Sequence, residues 1–136
     1  MSEPALSEEA VLITTGSQSG AYQCIRSIGK RGISTIGVAH ELCAPFVSKY
    51  CEEFVPVPSP LDDWAAYRDA LLEIVAERAV STVIPCRETD AYLLSKYREK
   101  FEEHVSLVVP PLERLETVHD RLQLAEAAAE ADVPVP

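Results

Sequence analysis

Five short apolar runs, each bounded by turn-forming residues, alternate along the chain with stretches whose apolar positions recur every three or four residues. The runs at residues 11–14, 34–38, 53–57, 82–85 and 105–109 read as strands. Ala21, Ile25 and Ile28 mark a helix over residues 21–30, which Gly32 stops by taking a left-handed conformation. Ser59-Pro60-Leu61-Asp62 has the form of a capping box with proline at the first helical position. Trp64, Tyr67, Leu71, Ile74 and Val75 then continue as a helical stripe. Thr89 predicts the cap of a third helix whose inner face is Leu93, Leu94, Tyr97 and Phe101. Pro110-Pro111 opens a short helix carrying Leu112, Leu115 and Val118. Asp120 with Gln123 forms a second capping box before a last helix at residues 122–131.

This alternation predicts a parallel sheet, because parallel neighbours need a crossover connection between them. The expected fold is α/β: a doubly wound, Rossmann-like five-strand parallel sheet in the order 3-2-1-4-5, with helices on both faces. Residues 40–50, with Pro45 and the aromatic Phe46, read as a loop holding one helical turn and as a candidate for a mobile flap. Residues 1–9 read as a flexible tail, 10–118 as the domain, and 119–136 as a helix and linker.

Composition adds constraints. A chain of 136 residues, 47% hydrophobic and 25% charged, suits one domain with a single sizeable core. Its apolar runs fall short of the roughly 18 residues a spanning helix needs, and residues 1–10 carry Glu3, Glu8 and Glu9 where a signal peptide needs bases. The expected location is the cytoplasm. A formal charge of −10 repels nucleic acid and anionic membranes. Eight Arg against four Lys on an acidic chain fit a salt-rich cytoplasm as well as they fit an ordinary acidic protein. Cys24, Cys43, Cys51 and Cys86 form no C-x-x-C pair and read as buried thiols. His40, Cys43, Cys51 and Cys86 match no compact zinc module.

Candidate chemistry gathers beyond the carboxyl ends of the strands, where the strand order reverses. Two loops qualify. One runs from Thr15 through Gly16, Ser17, Gln18 and Ser19 to Gly20; the other is Cys86-Arg87-Glu88-Thr89-Asp90. The crevice between them is the predicted substrate site, formed by Gly16, Ser17, Gln18, Ser19, Gly20, Arg87, Glu88 and Thr89. Backbone N–H groups and the Ser17 and Ser19 hydroxyls supply donors, Arg87 clamps a carboxylate, and Glu88 or Asp90 receives an amine. Against this, Thr89, Asp90 and Ser19 serve equally well as helix caps. For Arg87 the competing reading is a surface ion pair with Glu88 or Asp90, worth under about 1 kcal/mol, and its removal is expected to leave stability nearly unchanged. His40, His104 and His119 are scattered, and no catalytic group is assigned.

Thr15-Gly16 with Gly20 also matches the opening of the T-G-x-x-x-G-x-G pattern of short-chain dehydrogenases, with Glu41 near the place of the ribose-binding acid and Tyr92 and Lys96 spelling Y-x-x-x-K. Tyr22 replaces the last glycine, however, and the Tyr-Lys pair comes too early in the chain. A stand-alone flavodoxin-like ligand-binding or interaction module stays open.

A broader set of landmarks runs through the chain: the opening strand and glycine loop, Ser48-Lys49-Tyr50-Cys51 leading into Phe54-Val55-Pro56-Val57-Pro58, Val83-Ile84-Pro85 followed by Arg87-Glu88-Thr89-Asp90, and Asp120-Arg121 opening a helix that ends at Val133-Pro134-Val135-Pro136. In this order and spacing the chain resembles the N-terminal, pre-ATP-grasp domain of ATP-grasp ligases similar to the carbamoyl-phosphate synthase large subunit. The resemblance implies a parent that uses ATP and magnesium to activate a small carboxylate as an acyl phosphate, with an amine or similar nucleophile as acceptor. It implies that Arg121 reaches the nucleotide phosphates, that an ATP-grasp domain of the same parent follows as a partner, and that this chain alone catalyses nothing and binds no cofactor. A homodimer stays open.

Overall fold

The computed structural model of the chain describes residues 9–14 and 19–134. Four parallel strands form one sheet in the order β3-β2-β1-β4: β1 at Ala10–Thr14, β2 at Ser34–Ala39, β3 at Glu53–Pro56 and β4 at Val80–Ile84. The strand β1 is central and all five of its residues are buried. Its alternating side chains feed two apolar clusters. Val11 and Ile13 pack with Ala21 and Ile25 of helix α1 (Ser19–Gly29). Leu12 packs with Tyr67 and Leu71 of helix α2 (Trp64–Glu77) and with Leu93 and Leu94 of helix α3 (Glu88–Lys96). The near-continuous apolar run of β1 is thereby explained, since a central parallel strand is covered on both sides.

The predicted fifth strand at residues 105–109 does not form as a regular element. It contributes a single parallel bridge, Ser106 against Thr82, on the outer side of β4. The position is the predicted one, but only Ser106 bonds to β4, and the carbonyls that follow it are taken by other partners. The Ser106 N–H reaches Ser81 O at 2.9 Å, while the carbonyls of Val109 and Pro110 accept from the Arg98 guanidinium, and Pro110 O also accepts from the Ser95 hydroxyl at 2.7 Å. With those acceptors satisfied by side chains of the neighbouring helices, a ladder with β4 has little left to gain.

Two helix starts differ from the sequence reading. The cap of α2 is Asp63, whose carboxylate accepts from Ala66 N at 2.9 Å, four residues beyond the predicted Ser59. Ser59 instead closes a turn of its own, accepting from Leu61 N through its hydroxyl and from Asp62 N and Asp63 N through its carbonyl. Asp63→Ala is therefore expected to cost about 1 kcal/mol and Ser59→Ala clearly less, compared by their urea midpoints. The predicted Thr89 cap lies inside the first turn of α3, where Arg87 holds the N-cap position without a side-chain bond. The third helix also breaks at Tyr97 (φ −107°, ψ 28°), which separates α3 from the short α4 (Arg98–Phe101). Phe101 still buries completely in the core.

Gly32 takes φ +78° after α1, as predicted. Residues 40–50 contain one 3-10 turn at Ala44–Val47, and Phe46 within it is buried against the core, its ring 5.6 Å from that of Phe54. That contact anchors the segment predicted as a flap. The chain ends in a hairpin of α5 (Leu112–His119) and α6 (Arg121–Glu130), with Asp120 capping α6 through bonds from Leu122 N and Gln123 N. No side chain of α6 is fully buried, and Leu122 is 69% exposed. No helix among the described residues is long and apolar enough to cross a membrane.

Candidate functional site

The order 3-2-1-4 places the carboxyl ends of β1 and β4 side by side. Thr14, the last residue of β1, stitches the two together. Its Oγ1 receives the Cys86 N–H at 3.0 Å and donates to Asp90 Oδ2 at 2.7 Å. Residues 15–18 of the glycine loop, including Gly16, Ser17 and Gln18, and the side chain of Ser19 lie outside the described residues. Gly20 is exposed in the first turn of α1.

Asp90 is the centre of this region. Its carboxylate is fully buried and accepts from the Tyr67 hydroxyl at 2.6 Å, from Thr14 Oγ1, and from Arg87 through both Nε (3.0 Å) and Nη2 (3.1 Å). The Arg87–Asp90 pair is therefore not a surface pair: the arginine side chain is 32% exposed and the carboxylate not at all. Four donated bonds satisfy a charge that would otherwise be very costly to bury. Asp90 is unavailable as an amine acceptor and caps no helix, which corrects both readings of it from the sequence. Burial, and then the neighbouring Asp90 charge, push the Tyr67 phenol far above its ordinary pKa, so it stays a donor at every physiological pH. Burial likewise pushes the Cys86 thiol up to about 12, which leaves no thiolate for nucleophilic chemistry near neutral pH.

Glu88, Thr89 and Arg121, the remaining predicted site residues, meet on the other flank of α3. There α3 and the α5–α6 hairpin enclose a cleft of about 720 Å³. Its apolar wall comes from Trp64, Tyr92, Leu115, Val118 and Leu124, with Trp64 and Tyr92 in contact at a ring-centroid distance of 6.1 Å. Tyr92 of the dehydrogenase pattern thus belongs to this wall. The predicted set divides into an Arg87 region at the strand ends and a cleft bordered by Glu88, Thr89 and Arg121. Thr14, Tyr67 and Trp64 were not singled out as site residues from the sequence. Tyr67 and Trp64 stand in an apolar stripe, where nothing local reveals a functional hydroxyl or a cleft-facing indole. Among the described residues, no group of three or more metal-ligating side chains converges.

No protein-family model and no curated protein sequence matches the chain. Solved structures do. The L-amino acid ligase from Bacillus licheniformis superposes with a TM-score of 0.70 at 14% identity over 95% of this chain and 31% of its own. The biotin carboxylase domain of a single-chain bacterial carboxylase gives 0.64 at 22% identity, over 93% of this chain and 30% of that one. The biotin carboxylase domain dimer of the Hydrogenobacter thermophilus 2-oxoglutarate carboxylase, solved with MgADP and bicarbonate, gives 0.67 at 19% identity, over 94% and 28%. The fold is that of a domain found in ligases and carboxylases, in agreement with the resemblance to the N-terminal domain of an ATP-grasp ligase. The chain spans about 30% of the length of these neighbours.

Proposed function

We propose that this chain is the substrate-side N-terminal domain of an ATP-dependent carboxylate–amine ligase of the ATP-grasp class, with residues 10–118 as a doubly wound domain and 119–136 leading into the ATP-grasp domain. One observation carries the reading. A fold filling about 30% of a ligase and of carboxylases brings the carboxyl ends of β1 and β4 together at the switch point of the sheet, through the Thr14–Cys86 bond. In such a parent, ATP with magnesium supplies the phosphoryl group that activates a substrate carboxylate for attack by an amine.

The contribution of this chain is to bind and orient. The glycine loop and residues 86–89 wall the substrate, Arg87 meets its carboxylate with the part of the guanidinium that Asp90 leaves uncovered, and Arg121 serves the nucleotide phosphates. Asp90 holds the guanidinium plane in place, so the clamp is set before substrate arrives.

The test has two arms. Expressed from its whole reading frame, the gene product should release ADP from ATP when offered a small carboxylic acid and an amine. The 136-residue chain alone should hydrolyse no ATP and bind Mg-ATP more weakly than micromolar in a calorimetric titration. A reading frame without an ATP-grasp region, or micromolar Mg-ATP binding by this chain alone, overturns the assignment.

A further inference from the structure

Side chains of β4 alternate across the sheet, and Ile84, in register with Ile13, turns to the side that α1 covers. Cys86 stands two residues further on and packs on that same side, against the cluster of Val11, Ile13, Ala21 and Ile25. Its backbone is fixed there, because Thr14 Oγ1 accepts from the Cys86 N–H at 3.0 Å. From α1, Cys24 packs against the same cluster, beside the fully buried Ala21 and Ile25. Two cysteines far apart in the chain are thereby brought to one place, and their thiols meet in a side-chain hydrogen-bond contact. Each keeps part of its surface in water. The ligase reading uses neither sulfur.

We propose that Cys24 and Cys86 form a reversible disulfide that ties α1 to the end of β4 when the chain meets a peroxide. Two electrons leave the sulfurs and reduce one peroxide to two waters. In the first step a peroxide oxygen bonds to the Cys24 sulfur, the O–O bond breaks, and the departing hydroxide takes the thiol proton and leaves as water. In the second, the Cys86 sulfur bonds to the Cys24 sulfur, the S–O bond breaks, and the hydroxide takes the Cys86 proton as a second water. Cys24 reacts first because burial holds the Cys86 thiol protonated, and contact with Cys24 makes Cys86 the resolving partner. Thiols already in contact need only rotate and approach to an S–S length of about 2 Å, so the backbone stays where the sheet holds it. Cys86 immediately precedes Arg87, so the bridge also anchors the backbone from which that arginine projects.

Trypsin separates all four cysteines into different peptides, so the pairing can be read by mass spectrometry. After treatment of the folded 136-residue chain with hydrogen peroxide, residues 1–26 should be found joined to residues 79–87, about 2 Da lighter than the two peptides together. The melting temperature should rise by about 5 to 10 °C, because the bridge closes a loop of about 60 residues in the unfolded chain. Dithiothreitol should reverse both changes. Cys86→Ser should stop at the first step, leaving on Cys24 a sulfenic acid that dimedone captures. Cys24→Ser should yield no dimedone adduct on Cys86, and Cys43→Ser should form the bridge normally. Circular dichroism of each variant establishes that it is folded.

The proposal is overturned by a folded chain whose Cys24 and Cys86 stay unlinked under peroxide, by a link within any other pair, or by one that joins two chains. A bridge that forms only in urea, or that lowers the melting temperature, overturns it as well, since the thiols would then meet only by straining the sheet. Dimedone capture at Cys86 rather than Cys24 would refute the order of the two steps and with it the role of each thiol. These results are independent of whether the parent is a ligase, which the reading frame and the ADP assay decide.

Discussion

An Asp90→Ala variant will lose about 3 to 5 kcal/mol of folding stability, read from urea unfolding at neutral pH. The substitution removes one end of four hydrogen bonds and leaves Arg87 and the Tyr67 hydroxyl without their acceptor. Arg87→Ala acts from the other side, leaving a fully buried carboxylate supported only by the hydroxyls of Thr14 and Tyr67. It will also destabilise, by about 2 to 4 kcal/mol because the arginine keeps some contact with water. The sequence reading, with Arg87 as a substrate clamp or in a surface pair, expects almost no loss. A neutral Arg87→Ala would show that the carboxylate is not buried as described.

The same network sets an alkaline limit. Because Tyr67 has a raised pKa in the folded state, its stabilising contribution is complete below the unfolded phenol value of about 10. As pH climbs above that value the unfolded state ionises first, and stability falls towards the folded pKa. Tyr67→Phe gives up a hydrogen bond to a buried charge, worth about 1.5 to 3 kcal/mol at neutral pH, and with it this component of the alkaline loss.

Gly29→Ala will destabilise the chain by about 1 to 3 kcal/mol, although alanine is the better helix former by about 1 kcal/mol. Helix propensity alone predicts a gain at the last residue of α1. A methyl group there would sit 2.6 Å from Tyr50 Cβ and 2.9 Å from the Tyr50 carbonyl oxygen. That carbonyl is pinned by the Thr35 hydroxyl at 2.7 Å, and Thr35 is fully buried, so the neighbour cannot move cheaply. Thermal unfolding decides between the two effects. A higher melting temperature for the alanine variant would mean that α1 and the segment before β3 are further apart than they are here.

Such contacts mark where sequence reading stops. The run at residues 11–14 and the stripe from Trp64 to Val75 reveal β1 and α2 because strand and helix periods are local properties, written into neighbouring residues. The parallel order of four strands follows from the helices between most of them and from the handedness of crossovers. Asp120 is legible as a cap because its bonds reach only two and three residues ahead. Asp63 loses that role in the sequence reading to Ser59, an equally good capping residue standing before a proline, and the choice between them depends on where the helix docks.

By itself, then, the sequence determined the alternation of elements, the parallel sheet and the approximate helix ends. Tertiary structure alone decided what Asp90 does. Its partners Thr14 and Tyr67 stand 76 and 23 residues away, and their convergence turns a surface-looking acid at a helix start into a fully buried carboxylate. It also decided that residues 105–109 would make one bridge rather than a strand, because Arg98 and Ser95 take the carbonyls beyond it. The cleft under Arg121 arises only when α5 and α6 fold back beside α3. Each of these depends on distances between residues remote in sequence, and periodicity along a chain carries no information about such distances.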